Sequence, residues 1–232
     1  MKRVGSDLVL DHGFVKLISK MGDDLTVVNA ARISFNKRKE VLDDKDSRLI
    51  GYLMAHKHFS PMRHCQLTFH VKAPIFVMRQ WDKHRIGSNL IGAEGGEINE
   101  ISGRYVTLGE VDYYTPEIFR KQSDDNKQGS FGQVTEQQTA KYSYIKSIES
   151  ALENYRRHLE LGVAKEQARC MLPLAIYTEV WWTVSLQAAL HFVTLRDEDH
   201  AQFEIREYAR KLKQILLAEF PVTSSKYFEA LN

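Results

Sequence analysis

A dense group of cationic, imidazole and hydroxyl side chains lies in the first half of the chain, in two adjoining stretches. Residues 79–85 read RQWDKHR, and residues 99–105 read NEISGRY. Folding alone does not explain this density, because buried charges need partners and surface charges rarely cluster with Trp and Tyr. Arginine supplies a rigid fork of donors that suits phosphates and planar oxygens, and Ser and backbone N–H groups add neutral donors. The two stretches therefore indicate a site for a small anionic ligand, such as a nucleotide.

Composition limits the classes of partner that this site can serve. The chain has 232 residues, with 32 basic and 30 acidic side chains and a net charge of +2. This balance gives no one-signed face for a long polyanion, so no nucleic-acid partner is expected. The sequence has no apolar run of transmembrane length and no apolar core of a signal peptide near its N-terminus, which favours a cytoplasmic protein without a membrane partner.

Cysteine and histidine spacing does not predict a metal site. Cys65 and Cys170 lie far apart and match no ligand pattern, and they are expected to be two buried thiols in a reducing compartment. His56, His58 and His64 also match no standard metal-ligand spacing. The glycine-rich run at 92–96 lacks the Lys and Ser/Thr of a phosphate-binding P-loop, and it is interpreted as part of a mobile insertion at 89–97.

Periodicity in the first half predicts the elements that must position the charged stretches. Residues 13–19 and 66–72 alternate apolar and polar side chains, as half-buried strands do. Asp23 and Asp24 are expected to cap a helix, and Asp46 with Ser47 could cap the next. Pro74 suits the first turn of a helix at 75–84. On that helix Gln80, Lys83 and His84 have the spacing i, i+3 and i+4, so they are expected to share one face.

The second half is predicted to be mostly helical. Residues 121–133 are polar and are interpreted as disordered or as a long turn. Long and short helices are expected at 134–161, where Gly162 follows, and at 164–172. Residues 177–184 favour a strand because they are aromatic and β-branched, and Trp181–Trp182 is expected to be strand core or a subunit contact. The last two helices are predicted at 185–194 and 199–217, which makes the fold class mixed α/β.

Several motifs in a fixed order resemble the flavin-dependent thymidylate synthase family, often called ThyX. His84-Arg85, a spacer and then Ser102-Gly103-Arg104-Tyr105 resemble the family signature R-H-R followed by S-x-R-Y. The similarity runs from about residue 13 to residue 209, and its other segments are 70–77, 79–81, 168–169, 172–174, 182–184, 195–196 and 200–202.

The resemblance implies an enzyme and its fold. Members make dTMP from dUMP, with methylenetetrahydrofolate as the carbon donor and NADPH reducing a bound FAD that delivers hydride. The implied fold is a central, mostly antiparallel sheet packed with helices, in one catalytic domain spanning residues 1–232. The implied assembly is a homotetramer whose active sites lie at subunit interfaces.

The resemblance also assigns residues to the nucleotide. Arg196 occupies the position of the cation that polarises the pyrimidine, a role that Arg suits because it stays charged and offers two donors at once. Ser102 is assigned to catalysis beside it, and Ser102 with Arg104 is expected to hold the phosphate. The implied dUMP site consists of Gln80, Lys83, Glu100, Ile101, Ser102, Gly103, Arg104, Arg169 and Arg196.

The implied FAD site draws on both halves of the sequence. Its residues are His58, Ser60, Lys83, His84, Arg85, Ile86, Asn99, Glu100, Ser185, Gln187, His191 and His200. Here Lys83 replaces the first Arg of the signature, and Ser185 and Gln187 replace a more usual Asn and Arg. Arg63 stands where relatives can carry Glu, and the insertion at 89–97 lengthens the spacer.

Two other functions are compatible with these departures. One is a flavoprotein of the same fold that methylates another pyrimidine. The other is a nucleotide- or RNA-binding module of the same fold without flavin chemistry, which the changes at Ser185 and Gln187 keep open. The near-neutral net charge and the presence of Arg196 argue against the second.

Overall fold

A four-stranded antiparallel sheet forms the centre of the structure, with the strand order β1–β2–β6–β3. The computed structural model describes residues 8–84, 97–108 and 110–231. The strands of this sheet are β1 Phe14–Met21, β2 Gln66–Pro74, β3 Glu97–Glu100 and β6 Tyr177–Ser185. The sequence predicted β1, β2 and β6 but not β3, which begins at the last residue of the expected insertion. The mixed α/β class with a mostly antiparallel sheet is confirmed.

Eight helices surround this sheet in the described part of the chain. They are α1 Asp24–Arg32, α2 Asp44–Ala55, α3 Ile75–Trp81, α4 Gln137–Glu160, α5 Lys165–Ala168, α6 Leu186–Arg196, α7 Phe203–Glu219 and α8 Pro221–Leu231. Short 3₁₀ turns occupy Ile33–Phe35, Ser60–His64 and Arg169–Met171, and a small hairpin is made by β4 Lys121–Gln122 and β5 Ser130–Phe131. None of the described helices is both long enough and apolar enough to cross a membrane.

The starts of α1 and α2 follow the capping rules, although one predicted cap was wrong. The Asp23 carboxylate accepts from the Thr26 backbone N–H at 2.8 Å, as predicted for α1. Helix α2 is capped by Asp43, and not by Asp46 as expected. Asp46 is instead fully buried, where it accepts from Arg32 and Lys39 at 2.6 Å each. These two cations and a backbone N–H outweigh burial and hold the pKa of Asp46 far below its usual value.

Alternation along β2 and β6 turns one face of the sheet toward α3, α6 and α7. Phe69 and Trp182 on this face are buried, together with Trp81 of α3, Phe192 of α6 and Tyr208 of α7. The rings of Trp81 and Phe192 lie 4.4 Å apart, and those of Trp81 and Trp182 lie 5.1 Å apart. This aromatic core fixes where the C-terminal ends of α3 and α6 lie.

At the centre of the opposite face, polar pairs on β2 and β6 lie beside one large aromatic ring. Thr68 and Thr183 hydrogen-bond across β2 and β6 at 3.0 Å, and His70 pairs with Glu179 at 2.8 Å. Trp181 lies between these pairs and stays 52% exposed. The two neighbouring tryptophans therefore differ, since Trp182 is core and Trp181 is on the surface.

Several predicted boundaries were wrong. Helix α3 ends at Trp81 and not at residue 84, and residues 121–133 contain the β4–β5 hairpin. The helix predicted at 164–172 is split into α5 and a 3₁₀ turn, and α8 follows the helix predicted to be last. Cys170 is exposed, so only Cys65 is a buried thiol. Gly162 does follow α4 with a φ of 82°, as its position predicted.

Candidate active site

Arg196, the last residue of α6, is held in place by a hydrogen bond to the neutral ring of His84. Its Nε–H donates to Nε2 of His84 at 2.7 Å, and the His84 ring packs 4.7 Å from the ring of Phe192. In the described part of the chain, the two terminal nitrogens of Arg196 make no hydrogen bond. One hydrogen bond, from the Nε–H of Arg196 to His84, therefore orients the guanidinium. Its four terminal N–H groups bond to no described residue and are suited to a ligand.

The electrostatics of this pair require an uncharged imidazole. Burial, the Arg196 charge and His191 together lower the pKa of His84 from 6.5 to about 4. At neutral pH the ring is neutral, and because Nε2 accepts from Arg196 the proton lies on Nδ1. Burial also lowers the pKa of Arg196, but an arginine remains a cation.

Gln80, Lys83 and His84 do not share a helical face, which corrects the prediction from spacing. Helix α3 ends at Trp81, and the backbone N–H groups of Lys83 and His84 bond three residues back, to Gln80 and Trp81. This tighter turn leaves Lys83 exposed while His84 turns toward α6. The Gln80 amide reaches the start of α7, where its Nε2 donates to Oε1 of Gln202 at 2.6 Å.

A second group of predicted residues lines a cleft of about 270 Å³ at the edge of the sheet. Glu100 closes β3 and accepts from the Thr178 hydroxyl at 2.6 Å, while the Ile101 N–H donates to the Glu179 carbonyl. Gly103 is buried, and a Cβ there would lie 2.8 Å from Leu108 and 3.3 Å from Arg169. The predicted dUMP residues that line this cleft are Glu100, Ile101, Gly103 and Arg169.

Ser102 begins a tight turn beside this cleft. Its hydroxyl accepts from the Arg104 N–H at 3.3 Å, and its carbonyl accepts from the N–H groups of Tyr105 and Val106 at 3.0 Å each. The Arg104 guanidinium is exposed and lies 5.5 Å from the centre of the Tyr105 ring. These backbone N–H groups are therefore used within the turn, and the Ser102 hydroxyl and the exposed Arg104 guanidinium are the donors suited to a phosphate.

Four of the predicted FAD residues lie around the N-terminal end of α6 and the 3₁₀ turn before β2. Ser185 is buried and caps α6 by accepting from the Ala188 N–H at 3.2 Å. Gln187 accepts from Arg63 Nε at 2.6 Å, which joins two of the positions that depart from the family pattern. His58 and Ser60 are exposed and lie a few residues before Arg63 in the sequence.

The remaining predicted FAD residues are more dispersed. His191 lies one turn after Gln187 on α6, Asn99 is exposed on β3, and His200 is exposed between α6 and α7. Arg85 and Ile86 lie outside the described residues, as do residues 89–96 of the predicted insertion. In the part of the chain that the structure describes, no three His, Cys, Asp or Glu side chains are grouped to hold a metal ion.

Comparison with known proteins agrees with this arrangement. The family model described as "Thymidylate synthase complementing protein" matches residues 16–222. The chain is 44% identical to the flavin-dependent thymidylate synthase of Thermus thermophilus over 224 residues, which are 96% of this chain and 78% of the relative. It is 42% identical to the one from Thermotoga neapolitana, covering 95% of this chain and 93% of the relative.

The chain belongs to the family of flavin-dependent thymidylate synthases. Among solved structures it is similar to a UMP/dUMP methylase, PolB from Streptomyces cacaoi, solved with 5-Br dUMP bound. The TM-score is 0.81 at 31% identity, and the match covers 97% of each chain. The predicted family, fold and enzyme class are confirmed, and the alternative of a binding module without flavin chemistry finds no support among these relatives.

Two residues of this thymidylate synthase that contact the site were not predicted. Gln202 meets Gln80, and Glu204 bonds to Gln202 at 2.8 Å from the first turn of α7. The resemblance reached Gln202 as part of a segment but gave it no role. A buried carboxylate in a helix that looks amphipathic gives no sign in the sequence, because its partner Arg120 lies 84 positions away.

The predicted site residues form two groups in the structure. Within residues 8–84, 97–108 and 110–231, no hydrogen bond or ion pair joins the Gln80–His84–Arg196 group to the group at 100–104 and Arg169. One group lies at the C-terminal ends of α3 and α6. The other consists of Arg169 and the residues at and just after the end of the edge strand β3.

Proposed function

We propose that this chain makes dTMP from dUMP, with methylenetetrahydrofolate supplying the carbon and NADPH supplying the electrons through FAD. Family membership and the fold shared with PolB support the substrate class. The observation that carries the proposal is the Arg196 guanidinium fixed by neutral His84 at 2.7 Å, with terminal nitrogens that make no hydrogen bond to any residue the structure describes.

Arg196 suits the demand of methylating uracil at C5. The ring is electron-poor, so a cation beside N3 and its neighbouring oxygen favours the polarised or deprotonated pyrimidine and raises electron density at C5. Because His84 is neutral, it orients the guanidinium without adding a second charge to the pocket. Preorganisation of this kind avoids the cost of turning the side chain during reaction.

The phosphate of dUMP is assigned to the turn at 102–104. Gly103 lets the chain pass against Arg169, where a side chain would fill the cleft. Ser102 would offer its hydroxyl and Arg104 its exposed guanidinium to that phosphate. Glu100, Ile101 and Arg169 would line the nucleotide beside them, and Lys83 and Gln80 would contribute from the other group.

The residues around α6 fit a flavin by the chemistry of their donors. Isoalloxazine and pyrophosphate present mainly oxygen and nitrogen acceptors, and this region offers the imidazoles of His58 and His191, the Ser60 hydroxyl and the Arg63 guanidinium. His84, Arg85, Ile86, Asn99, Glu100, Ser185, Gln187 and His200 complete the proposed set. When bound, FAD supplies the two-electron transfer that reduces the methylene carbon to a methyl group.

The proposed active unit is a homotetramer with sites between subunits, in the cytoplasm, each chain forming one catalytic domain. Membership of the family, whose resemblance implies this assembly, supports it. A second copy that places its 100–104 turn near the first copy's Arg196 would complete a site.

The purified protein tests this function directly. We expect a flavin absorption band that bleaches with NADPH under anaerobic conditions, and dTMP formation that depends on dUMP and methylenetetrahydrofolate. Arg196→Ala should lower dTMP formation by about 10²- to 10³-fold, the scale of removing an electrostatic donor, while oligomer mass stays unchanged. Arg48→Ala, at an exposed position on α2, is the control and should be active. A protein that binds no flavin after reconstitution, or an active Arg196→Ala variant, would contradict the proposal.

A further inference from the structure

A chain of hydrogen bonds runs from the proposed dUMP site into the interior at the start of α7. Gln80 Nε2 donates to Gln202 Oε1 at 2.6 Å, and Gln202 Nε2 donates to Glu204 Oε2 at 2.8 Å. The other carboxylate oxygen, Glu204 Oε1, accepts from Arg120 at 2.8 Å and from the Tyr114 hydroxyl at 3.1 Å. Every hydrogen bond in this chain is donated toward Glu204, so the chain has a direction.

Glu204 is the anchor of this chain because it is buried and charged. The residue is 3% exposed. Burial alone would raise the pKa of its carboxyl, but the hydrogen bonds from Arg120 and Gln202 outweigh burial and lower the pKa. Its place in the first turn of α7 also favours a negative charge. Glu204 is therefore an acceptor only, and whatever faces it must donate.

This requirement sets the orientation of both amides. Gln202 must present its NH₂ to Glu204, so its carbonyl oxygen faces outward. Gln80 must then present its own NH₂ to that carbonyl. The Gln80 carbonyl oxygen is then directed away from Gln202, and it has no hydrogen-bond partner among the described residues. The hydrogen bonds from Gln80 through Gln202 to Glu204 are termed the relay.

We propose that Glu204 and Gln202 are positioning residues that hold the Gln80 amide with its carbonyl oxygen toward the nucleotide, so that Gln80 accepts a hydrogen bond from dUMP. This inference rests on the proposed function, since it takes Gln80 as a wall of the dUMP site. A nucleotide phosphate and a uracil carbonyl need donors, whereas dUMP offers only the N3–H and the 3′-hydroxyl to an acceptor. A free glutamine could present either end, and the relay removes that choice.

Glu204→Gln tests the relay because the two carboxylate oxygens of Glu204 have different partners. Arg120 and Tyr114 both donate to Oε1, so a glutamine at 204 keeps its oxygen there and places its NH₂ toward Gln202. Two NH₂ groups would then face each other, and Gln202 must turn over. Gln80 turns with it and presents NH₂ to the nucleotide where an acceptor is needed. We expect the Kd for dUMP to rise about 10-fold, the effect of one lost and one mismatched hydrogen bond.

A double-mutant cycle with Gln80→Ala separates positioning from general structure. If Glu204 acts through Gln80, Glu204→Gln should change the dUMP Kd by less than about 2-fold in the Gln80→Ala background. Gln202→Ala is a second variant, at an exposed residue whose loss leaves the buried carboxylate in place, and it should raise the Kd about 3-fold only when Gln80 is present. Glu207→Gln, on the same helix, is the control and should bind dUMP normally.

The experiment measures dUMP binding to the flavin-loaded protein by isothermal titration calorimetry, with melting temperature recorded for every variant. Non-additive effects on Kd in both cycles support the relay. Equal effects of Glu204→Gln and of Gln202→Ala with and without Gln80 would overturn it. Wild-type protein that binds flavin but not dUMP would contradict the proposed function, and the relay with it.

Discussion

Whether Arg196 is oriented depends on the proton of a single histidine. His84 accepts from Arg196 only while its Nε2 is unprotonated, and its pKa in the folded protein is about 4. In the unfolded chain the same ring would titrate near 6.5. Between these values the unfolded state binds more protons than the folded state, so the free energy of unfolding falls as pH falls from about 6.5 to about 4.

Replacing His84 should remove part of this pH dependence. We expect His84→Gln, whose carbonyl oxygen can still accept from Arg196, to lose less stability than wild type between pH 6.5 and pH 4. Urea unfolding at several pH values measures the difference, and an imidazole NMR titration should place the wild-type pKa near 4. His158→Gln, at a partly exposed position on α4 away from Arg196, is the control and should keep the wild-type dependence. A His84 resonance that titrates near 6.5 would contradict the neutral-acceptor role.

Gly103 lies where the proposed function places the phosphate of the nucleotide. Gly103→Ala places a methyl group 2.8 Å from Leu108 Cδ1 and 3.3 Å from Arg169 Cδ, so both side chains must shift into the cleft. We expect the Kd for dUMP to rise about 10-fold with little change in melting temperature, since both neighbours are flexible at these atoms. Gly51→Ala on α2 meets only Lys226 at 3.5 Å and is the matched control. Unchanged dUMP affinity in Gly103→Ala would place the phosphate elsewhere.

The family pattern assigned residues to the site, whereas spacing alone predicted a shared helical face. Arg196, Gly103 and Arg169 were assigned through the family pattern, and the structure gives each a defined surrounding. The i, i+3, i+4 rule failed for Gln80, Lys83 and His84 because it assumes an α-helix that continues, whereas α3 ends at Trp81. Gln202 and Glu204 escaped notice because a relay is a tertiary contact, and the sequence does not show which residues meet across 122 positions.

At the scale of elements, local capping signals were reliable where a polar side chain could reach its own helix. Asp23 caps α1 with both bonds of a capping box to Thr26. Asp46 has the same chemistry, but it is the third residue of α2 and pairs with Arg32 and Lys39. Asp43 is the N-cap of α2. Strand β3 could not be predicted because four residues carry too little periodicity, and its only partner is the distant strand β6.

The Asp23 cap provides a stability prediction that is independent of the active site. Asp23→Ala removes the acceptor for the Thr26 N–H and should lower the free energy of unfolding by about 1 kcal/mol. Urea denaturation at fixed protein concentration measures the change, and flavin content should be unaffected. Asp44→Ala, which removes a carboxylate from the first turn of α2 but no cap, should cost less. An equal cost for both substitutions would show that Asp23 acts through charge and not as a cap.

At the scale of the whole molecule, one face of the central sheet remains to be explained. The inner face packs on α3, α6 and α7, but on the outer face Trp181 is 52% exposed between His70 of β2 and Asn99 of β3. A large aromatic ring in the middle of a sheet is an expensive surface in a monomer and a common anchor in an interface. The proposed tetramer therefore gives this face a natural partner in a second copy of the chain.

Trp181→Glu tests that assignment. A carboxylate at this position, next to Glu179 on the same face, would be buried without a partner in an interface and would add a like charge. We expect light scattering after size exclusion to show a species smaller than the tetramer, with wild-type far-UV circular dichroism. Activity should fall with assembly, because the Arg196 group and the 100–104 turn would no longer meet. Trp181→Phe keeps an apolar ring and should remain tetrameric, so a tetramer of unchanged mass in Trp181→Glu would place the interface on another face.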